Sequence, residues 1–336
     1  MPASIGSQMA VVHYRAEEPL LLSGSDAAQF TPTVRRANMF RPRNGFLVML
    51  LVFLPAILVS LSLLQGPVAV QASALPAAVT SDGPRESCSV HALKGTFGVL
   101  EQGTILATLP DLPPPPVAFS NVALATYDGR GHFSGTFTAS DGGFISEGTF
   151  SGTYTVTANC TYADEFTIGS SPVATHHTGA IVGNGLEQEI NFIYSDPGLV
   201  IKGTARRTPP QGCTVATLKG SYVESLEGSV VIPLEGFPPP PIPAVETGVT
   251  MYDGAGNFTG TFSSSFGSGT GGGVYTVKPD CTCSIVGTSG DGAGSTSVGV
   301  ITGEGPFQEI QAMFTVPWLV ASGPSVKQEA GSKTDF

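Results

Sequence analysis

Tyr127-Asp128-Gly129-Arg130-Gly131-His132-Phe133-Ser134-Gly135-Thr136-Phe137 decides the fold class, and the chain uses it twice. The second copy reads Tyr252-Asp253-Gly254-Ala255-Gly256-Asn257-Phe258-Thr259-Gly260-Thr261-Phe262. Asp-Gly between alternating apolar and polar residues marks a tight β-hairpin, because glycine takes a positive φ without a Cβ clash. Asp128 and Asp253 read as turn residues rather than calcium ligands, since a calcium loop needs further oxygen ligands at alternate positions.

The repeat extends outward from the hairpin. Cys88-Ser89-Val90-His91-Ala92-Leu93-Lys94-Gly95-Thr96-Phe97 matches Cys213-Thr214-Val215-Ala216-Thr217-Leu218-Lys219-Gly220-Ser221-Tyr222. Pro113–Pro116 match Pro238–Pro241, and Tyr154-Thr155-Val156 with Cys160 match Tyr275-Thr276-Val277 with Cys281. Gln188-Glu189-Ile190 match Gln308-Glu309-Ile310, and Gly203 matches Gly323. Whole domains are therefore duplicated, at 88–207 and 213–326, joined by a stiff linker at 208–212. A tail follows at 327–336.

Within the first copy, strands are expected near 95–101, 104–109, 118–127, 132–139, 144–157, 161–168, 176–183 and 187–194, with 198–206 closing or extending the last. Many short strands with regular turn signals indicate a sandwich or barrel. About eight strands in a domain of this size suit a small closed barrel that holds side chains or one small ligand. The fold class is thus all-β, with two tandem antiparallel barrels of about eight strands each after an N-terminal signal or anchor helix. The Gly/Ser-rich runs 263–273 and 287–294 read as hairpin loops at a barrel mouth. The Pro-rich runs 109–117 and 234–243 read as stiff crossovers at one barrel end.

Composition agrees. Charged residues are 12% of the 336, glycines number 43, and 41% of residues are hydrophobic, which is enough for packed cores. A net charge of -11 argues against a nucleic-acid partner, because phosphates demand Lys and Arg. Phe46 to Leu64 form an apolar run behind Arg35, Arg36, Arg41 and Arg43. Two readings fit it. Val70-Gln71-Ala72 supplies a small-x-small cleavage pattern for a signal peptide spanning 46–72, and the run itself is long enough for a membrane anchor. Either reading places residues after 72 outside the cytoplasm, with 1–45 as a disordered leader and 73–87 as a linker. Contact with a membrane is expected only through 46–64, if they stay uncleaved.

The order of Cys, Leu-Lys-Gly-Thr/Ser-aromatic, Asp-Gly-x-Gly hairpin, Gly-Thr-aromatic, Tyr-Thr-Val, Cys and a last glycine-bearing strand resembles secreted bacterial domains of the allene oxide cyclase barrel-like type. That resemblance implies a calycin-like eight-stranded barrel with an apolar cavity over 88–326. The plant cyclases act on an unsaturated fatty-acid epoxide. No residue here matches their acid or water-binding positions, so no catalytic residue is carried over.

In an exported protein one disulfide per repeat is the economical reading, Cys88–Cys160 and Cys213–Cys281. Cys283 has no counterpart in the first copy and is left to compete with Cys281, pair between molecules or stay free. No metal site and no cofactor are expected. His176 and His177 are adjacent, so on a strand they face opposite ways, and they read as surface or strand-edge residues.

Glu189 shares a strand face with Asn191, and Glu309 with Gln311. These four are the candidate ligand-binding residues. If the apolar face opposite them points outward between the barrels, the glutamates enter a cavity. If it points inward, they are outer residues. The function read from all this is an exported tandem β-barrel binding module of unknown ligand, which holds a small apolar molecule or docks a partner through its rims. The alternatives are a cavity-type isomerase resembling allene oxide cyclase and a structural envelope or adhesion protein.

Overall fold

The computed structural model describes residues 88–109 and 112–329. The leader, the apolar run 46–64 and the linker before Cys88 lie outside the described residues. Among the described residues no helix is long and apolar enough to cross a membrane.

The first barrel comprises β1 (Gly95–Ile105), β2 (Val117–Tyr127), β3 (His132–Asp141), β4 (Phe144–Val156), β5 (Thr161–Ile168), β6 (Ala174–Val182), β7 (Glu189–Tyr194) and β8 (Leu199–Arg207). The second comprises β9 (Lys219–Val230), β10 (Ile242–Asp253), β11 (Asn257–Ser264), β12 (Gly267–Val277), β13 (Thr282–Gly290), β14 (Thr296–Thr302), β15 (Glu309–Phe314) and β16 (Leu319–Lys327). Each set pairs antiparallel in chain order. β8 returns to β1, and β16 returns to β9, so both sheets close and neither leaves a free edge.

The Asp-Gly hairpins are built as their sequence implies. Asp128 Oδ1 accepts hydrogen bonds from the backbone N–H groups of Arg130 (2.6 Å) and His132 (3.0 Å). Asp253 Oδ1 repeats this with Ala255 (2.7 Å) and Asn257 (2.9 Å). Gly129 and Gly254 take φ of 74° and 77°.

Two segments differ from the sequence expectation. The strands expected at 95–101 and 104–109 are one strand, β1. Gly103 does not break it, because the neighbouring backbone comes too close for any side chain there: a Cβ would lie 2.1 Å from the Val200 carbonyl. The Gly/Ser-rich runs 263–273 and 287–294 lie largely within β11, β12 and β13 rather than in loops.

A short 3-10 turn caps each barrel. Tyr154 donates to the carbonyl of Val90 (2.9 Å), and Tyr275 donates to that of Leu218 (2.8 Å). The caps are tied down by Cys88–Cys160 and Cys213–Cys281. Cys160 and Cys281 take φ of 65° and 71°, a region that side chains rarely occupy, so each bridge holds a turn that the local sequence would not favour. Bridges closing loops this long stabilise by roughly 4 kcal/mol on the chain-entropy view.

The barrels pack side by side. Leu100 of β1 and Val122 of β2 meet Val300 of β14 and Met313 of β15 in a small apolar cluster. Gly98 lets the backbones approach, since a Cβ there would lie 2.6 Å from Thr302 Cγ2 and 2.7 Å from Val300 Cγ1. Gly98→Val should therefore destabilise the protein by about 2 kcal/mol through overpacking at the joint. Chemical denaturation of the full chain checks this, and an unchanged midpoint would show that the joint yields without cost.

Candidate functional site

Interior positions alternate along every strand, so the repeat allows the two interiors to be compared position by position. In the first barrel they are filled by rings. Tyr127 stacks on Phe133 at 5.3 Å, Phe133 meets Phe150 at 5.9 Å, and Phe150 meets Phe166 at 6.0 Å. His177 lies 4.9 Å from Phe166, 4.5 Å from Phe192 and 4.3 Å from Tyr194.

A polar chain threads these rings. Tyr127 and Tyr162 share a hydrogen bond (3.0 Å), and Tyr162 donates to Asp164. Asp164 Oδ2 meets His177 Nδ1 at 3.2 Å. His177 Nε2 faces Glu101 Oε1 at 3.9 Å without a hydrogen bond. Glu101 accepts from Asn121 (2.7 Å) and Tyr194 (2.9 Å). Burial opposes a charge on His177, but the hydrogen bond and charge of Asp164, with the charges of Glu101 and Asp196, outweigh it and raise its pKa. Burial and neighbouring carboxylates raise Tyr194 and Tyr162 well above the usual phenol value. This interior is a packed core in which one imidazole stands between two carboxylates.

The sequence reads both histidines as surface or strand-edge residues. His176 does face out, against Asp196, whereas His177 is buried. Its period-2 register with Gly179 and Ile181 was the available signal, as was that of Asp164 with Tyr162 and Phe166.

The second barrel lacks the filling. Phe119, Phe150, Phe166 and Phe192 lie opposite Gly103, Gly135, Gly152 and Gly179 on the adjacent strands. The matching pairs in the second copy are Ala244–Gly228, Gly271–Gly260, Gly287–Gly273 and Ala312–Gly299. The glycines persist while the four rings are gone. Ala244, Gly271, Gly287 and Ala312 all line a cavity of ≈ 530 Å³ that opens through the second barrel. Gly271, Gly272, Gly287 and the turn residues 291–294 line it as well.

Two carboxylates face this cavity from adjacent strands. Glu224 of β9 accepts from Thr250 Oγ1 at 3.0 Å, and burial raises its pKa. Glu246 of β10 is pushed up to about 7 by burial and by the charge of Glu224. Neither was singled out from the sequence, although both alternate with core residues, Tyr222 and Leu226 for Glu224, Ala244 and Thr250 for Glu246.

Glu189, Asn191, Glu309 and Gln311 sit elsewhere. Their strands turn the apolar face inward, with Ile190 and Ile310 fully buried, so the polar face points out of each barrel. Because the barrels abut, that face borders a cleft between them instead of open solvent. Arg206 bridges it, bonding Glu189 on one side and Glu309 Oε2 at 2.6 Å on the other. Glu189, Asn191 and Glu309 line the cleft, and Gln311 is buried beside Glu309. Cys283 is buried and unbonded, and desolvation pushes its thiol up to about 12, so it is inert at neutral pH. Among the described residues no cluster of metal-ligating side chains occurs.

No protein-family model matches this chain, and no curated protein matches it. Among solved structures it matches the isotype 1 transferrin binding protein B from serogroup B Neisseria meningitidis, at 8% identity and a TM-score of 0.22, over 70% of this chain and 77% of that one. Overlap at that score carries no argument, and the barrel assignment rests on the strand pairings.

The raised Glu246 has a stability consequence. A folded pKa of about 7 against an ordinary 4.5 means that its favourable contribution is present below pH 4.5 and is lost as pH rises through 7. Glu246→Gln should therefore raise the melting temperature at alkaline pH, by on the order of 1 kcal/mol of stability after solvent screening, with the gap closing toward acid. Melting curves of both proteins across this range check it, and parallel profiles would contradict it.

Proposed function

We propose that this protein is an extracytoplasmic binding module whose second barrel holds a small apolar molecule and whose first barrel is its scaffold. The observation that carries this is the loss of four interior rings at Ala244, Gly271, Gly287 and Ala312, all on the wall of one cavity. A void that merely decayed would destabilise the barrel by forfeiting packing, roughly 3–5 kcal/mol for each buried Phe removed. A cavity kept open and apolar, of a size suited to small ligands, supports occupancy. Two disulfides fit an oxidising compartment. The cleft lined by Glu189, Asn191 and Glu309, with Gln311 buried beside Glu309, is the lesser candidate, because Arg206 already pairs its charges.

A second reading, the cavity isomerase suggested by the allene oxide cyclase resemblance, draws on Glu246. A half-buried acid with a pKa near neutrality inside an apolar cavity is suited to general acid–base work. Recovery of the bound molecule unchanged after incubation favours the binding module over the isomerase.

Ala312→Phe tests the binding reading directly. Ala312 lies between Gly299 and Gly323, as Phe192 lies between Gly179 and Gly203, so the ring has its place prepared. The variant should fold with equal or greater stability and lose binding of a neutral fluorescent naphthyl probe. Unchanged probe binding in a folded variant would place the ligand elsewhere.

A further inference from the structure

We propose that the ligand of the second barrel is a lipophilic cation, an apolar body with an amine head seated against Glu224 and Glu246. This rests on the cavity reading above and specifies the chemistry of its occupant.

The warrant is charge imbalance inside an apolar wall. Glu224 and Glu246 both face the cavity, and Asp291 stands at its border, while no Lys, Arg or His lines it. Glu224 accepts one hydrogen bond, from Thr250. Among the described residues no side chain or backbone group donates to the carboxylate of Glu246. Burying carboxylates in such a setting costs free energy unless a cation or donors compensate.

The first barrel shows what compensation looks like in this fold. There Glu101 and Asp164 are served by Asn121, Tyr194, His177 and Tyr162. The strand registers equate these four donors with Glu246, Phe314, Ser297 and Cys283. The acids that those donors serve, Glu101 and Asp164, correspond in turn to Leu226 and Ile285, so the acid pair of the second barrel is its own: Glu246 stands where the first has Asn121, and Glu224 where it has Val99. The second barrel thus places two carboxylates of its own on an open cavity and has Ser297 where the first has His177, with no cation among the lining residues.

The remaining wall suits the same occupant. Tyr252, Phe258, Phe262 and Trp318 line the cavity, and aromatic faces attract ammonium groups while their area takes up an apolar body. A neutral hydroxyl ligand could share a proton with the acid pair, so the head group is the quantity to test.

The experiment is displacement of a neutral naphthyl probe from the full chain by dodecylamine, dodecanol and dodecanoate, below their micelle concentrations, at about pH 8, where an alkylamine is charged. Dodecylamine should bind roughly tenfold or more tightly than dodecanol, as a charge-assisted contact implies, with dodecanoate weakest. The double variant Glu224→Gln with Glu246→Gln should bring the amine down to the affinity of the alcohol, and an unchanged circular dichroism spectrum with the naphthyl probe still bound shows that the cavity is intact. Equal affinity of amine and alcohol for the native protein, or a preference that survives the double variant, would overturn the cationic head group and leave the cavity reading standing. Failure of all three compounds to displace the probe, or of the probe to bind, would overturn the cavity reading and this inference with it.

Discussion

Each barrel of this protein must fill the space that its closed sheet creates, and the first does so by laying phenylalanine rings over glycines of adjacent strands. A Cβ at Gly135 would lie 2.4 Å from Phe150 Cζ, and one at Gly203 would lie 2.3 Å from Phe192 Cζ. Glycine and ring are therefore one device: the missing side chain on one strand makes room for the large one on the next. Everything else inside the first barrel follows from that packing. The rings exclude water, so the few polar groups among them have to find partners locally, and the Tyr162–Asp164–His177–Glu101 chain sets one imidazole between two carboxylates.

The second barrel keeps one half of the device. Its glycines remain at Gly228, Gly260, Gly273 and Gly299, and the rings opposite them are replaced by Ala or Gly. The fold survives because closure, the Tyr275 cap and the Cys213–Cys281 bridge do not depend on the rings. It is further braced from outside, where Leu100 and Val122 of the first barrel pack on Val300 and Met313 of the second. Duplication thus separates two tasks that compete within a single small barrel: a solid core gives stability, and a hollow one gives room.

Much of this was legible in the sequence. The Asp-Gly hairpins and the matched Cys, Tyr-Thr-Val and Gln-Glu-Ile segments defined two all-β copies, because turn chemistry and spacing are local properties. β1 was split in the reading because Gly103 looks like a breaker when its partner strand is unknown; only the close approach of Val200 explains it. Glu189 and Glu309 drew attention as matched acids on polar faces, yet their surroundings depend on how two barrels abut, which no strand pattern encodes. His177 was given to the surface since adjacent histidines say nothing about which one points inward. The cavity itself was open to inspection: aligning Phe119, Phe150, Phe166 and Phe192 with Ala244, Gly271, Gly287 and Ala312 needs only the repeat. What the sequence withheld was that these four positions, on four different strands, surround one cavity.

The most direct test of this account is diffraction from crystals of the full chain under xenon pressure, since xenon enters apolar cavities and is excluded from packed cores. The account predicts xenon density inside the second barrel, beside Ala312 and Gly287, and none among the rings of the first. Density in the first barrel, or an empty second barrel, would contradict the division into a solid scaffold and a hollow receptor.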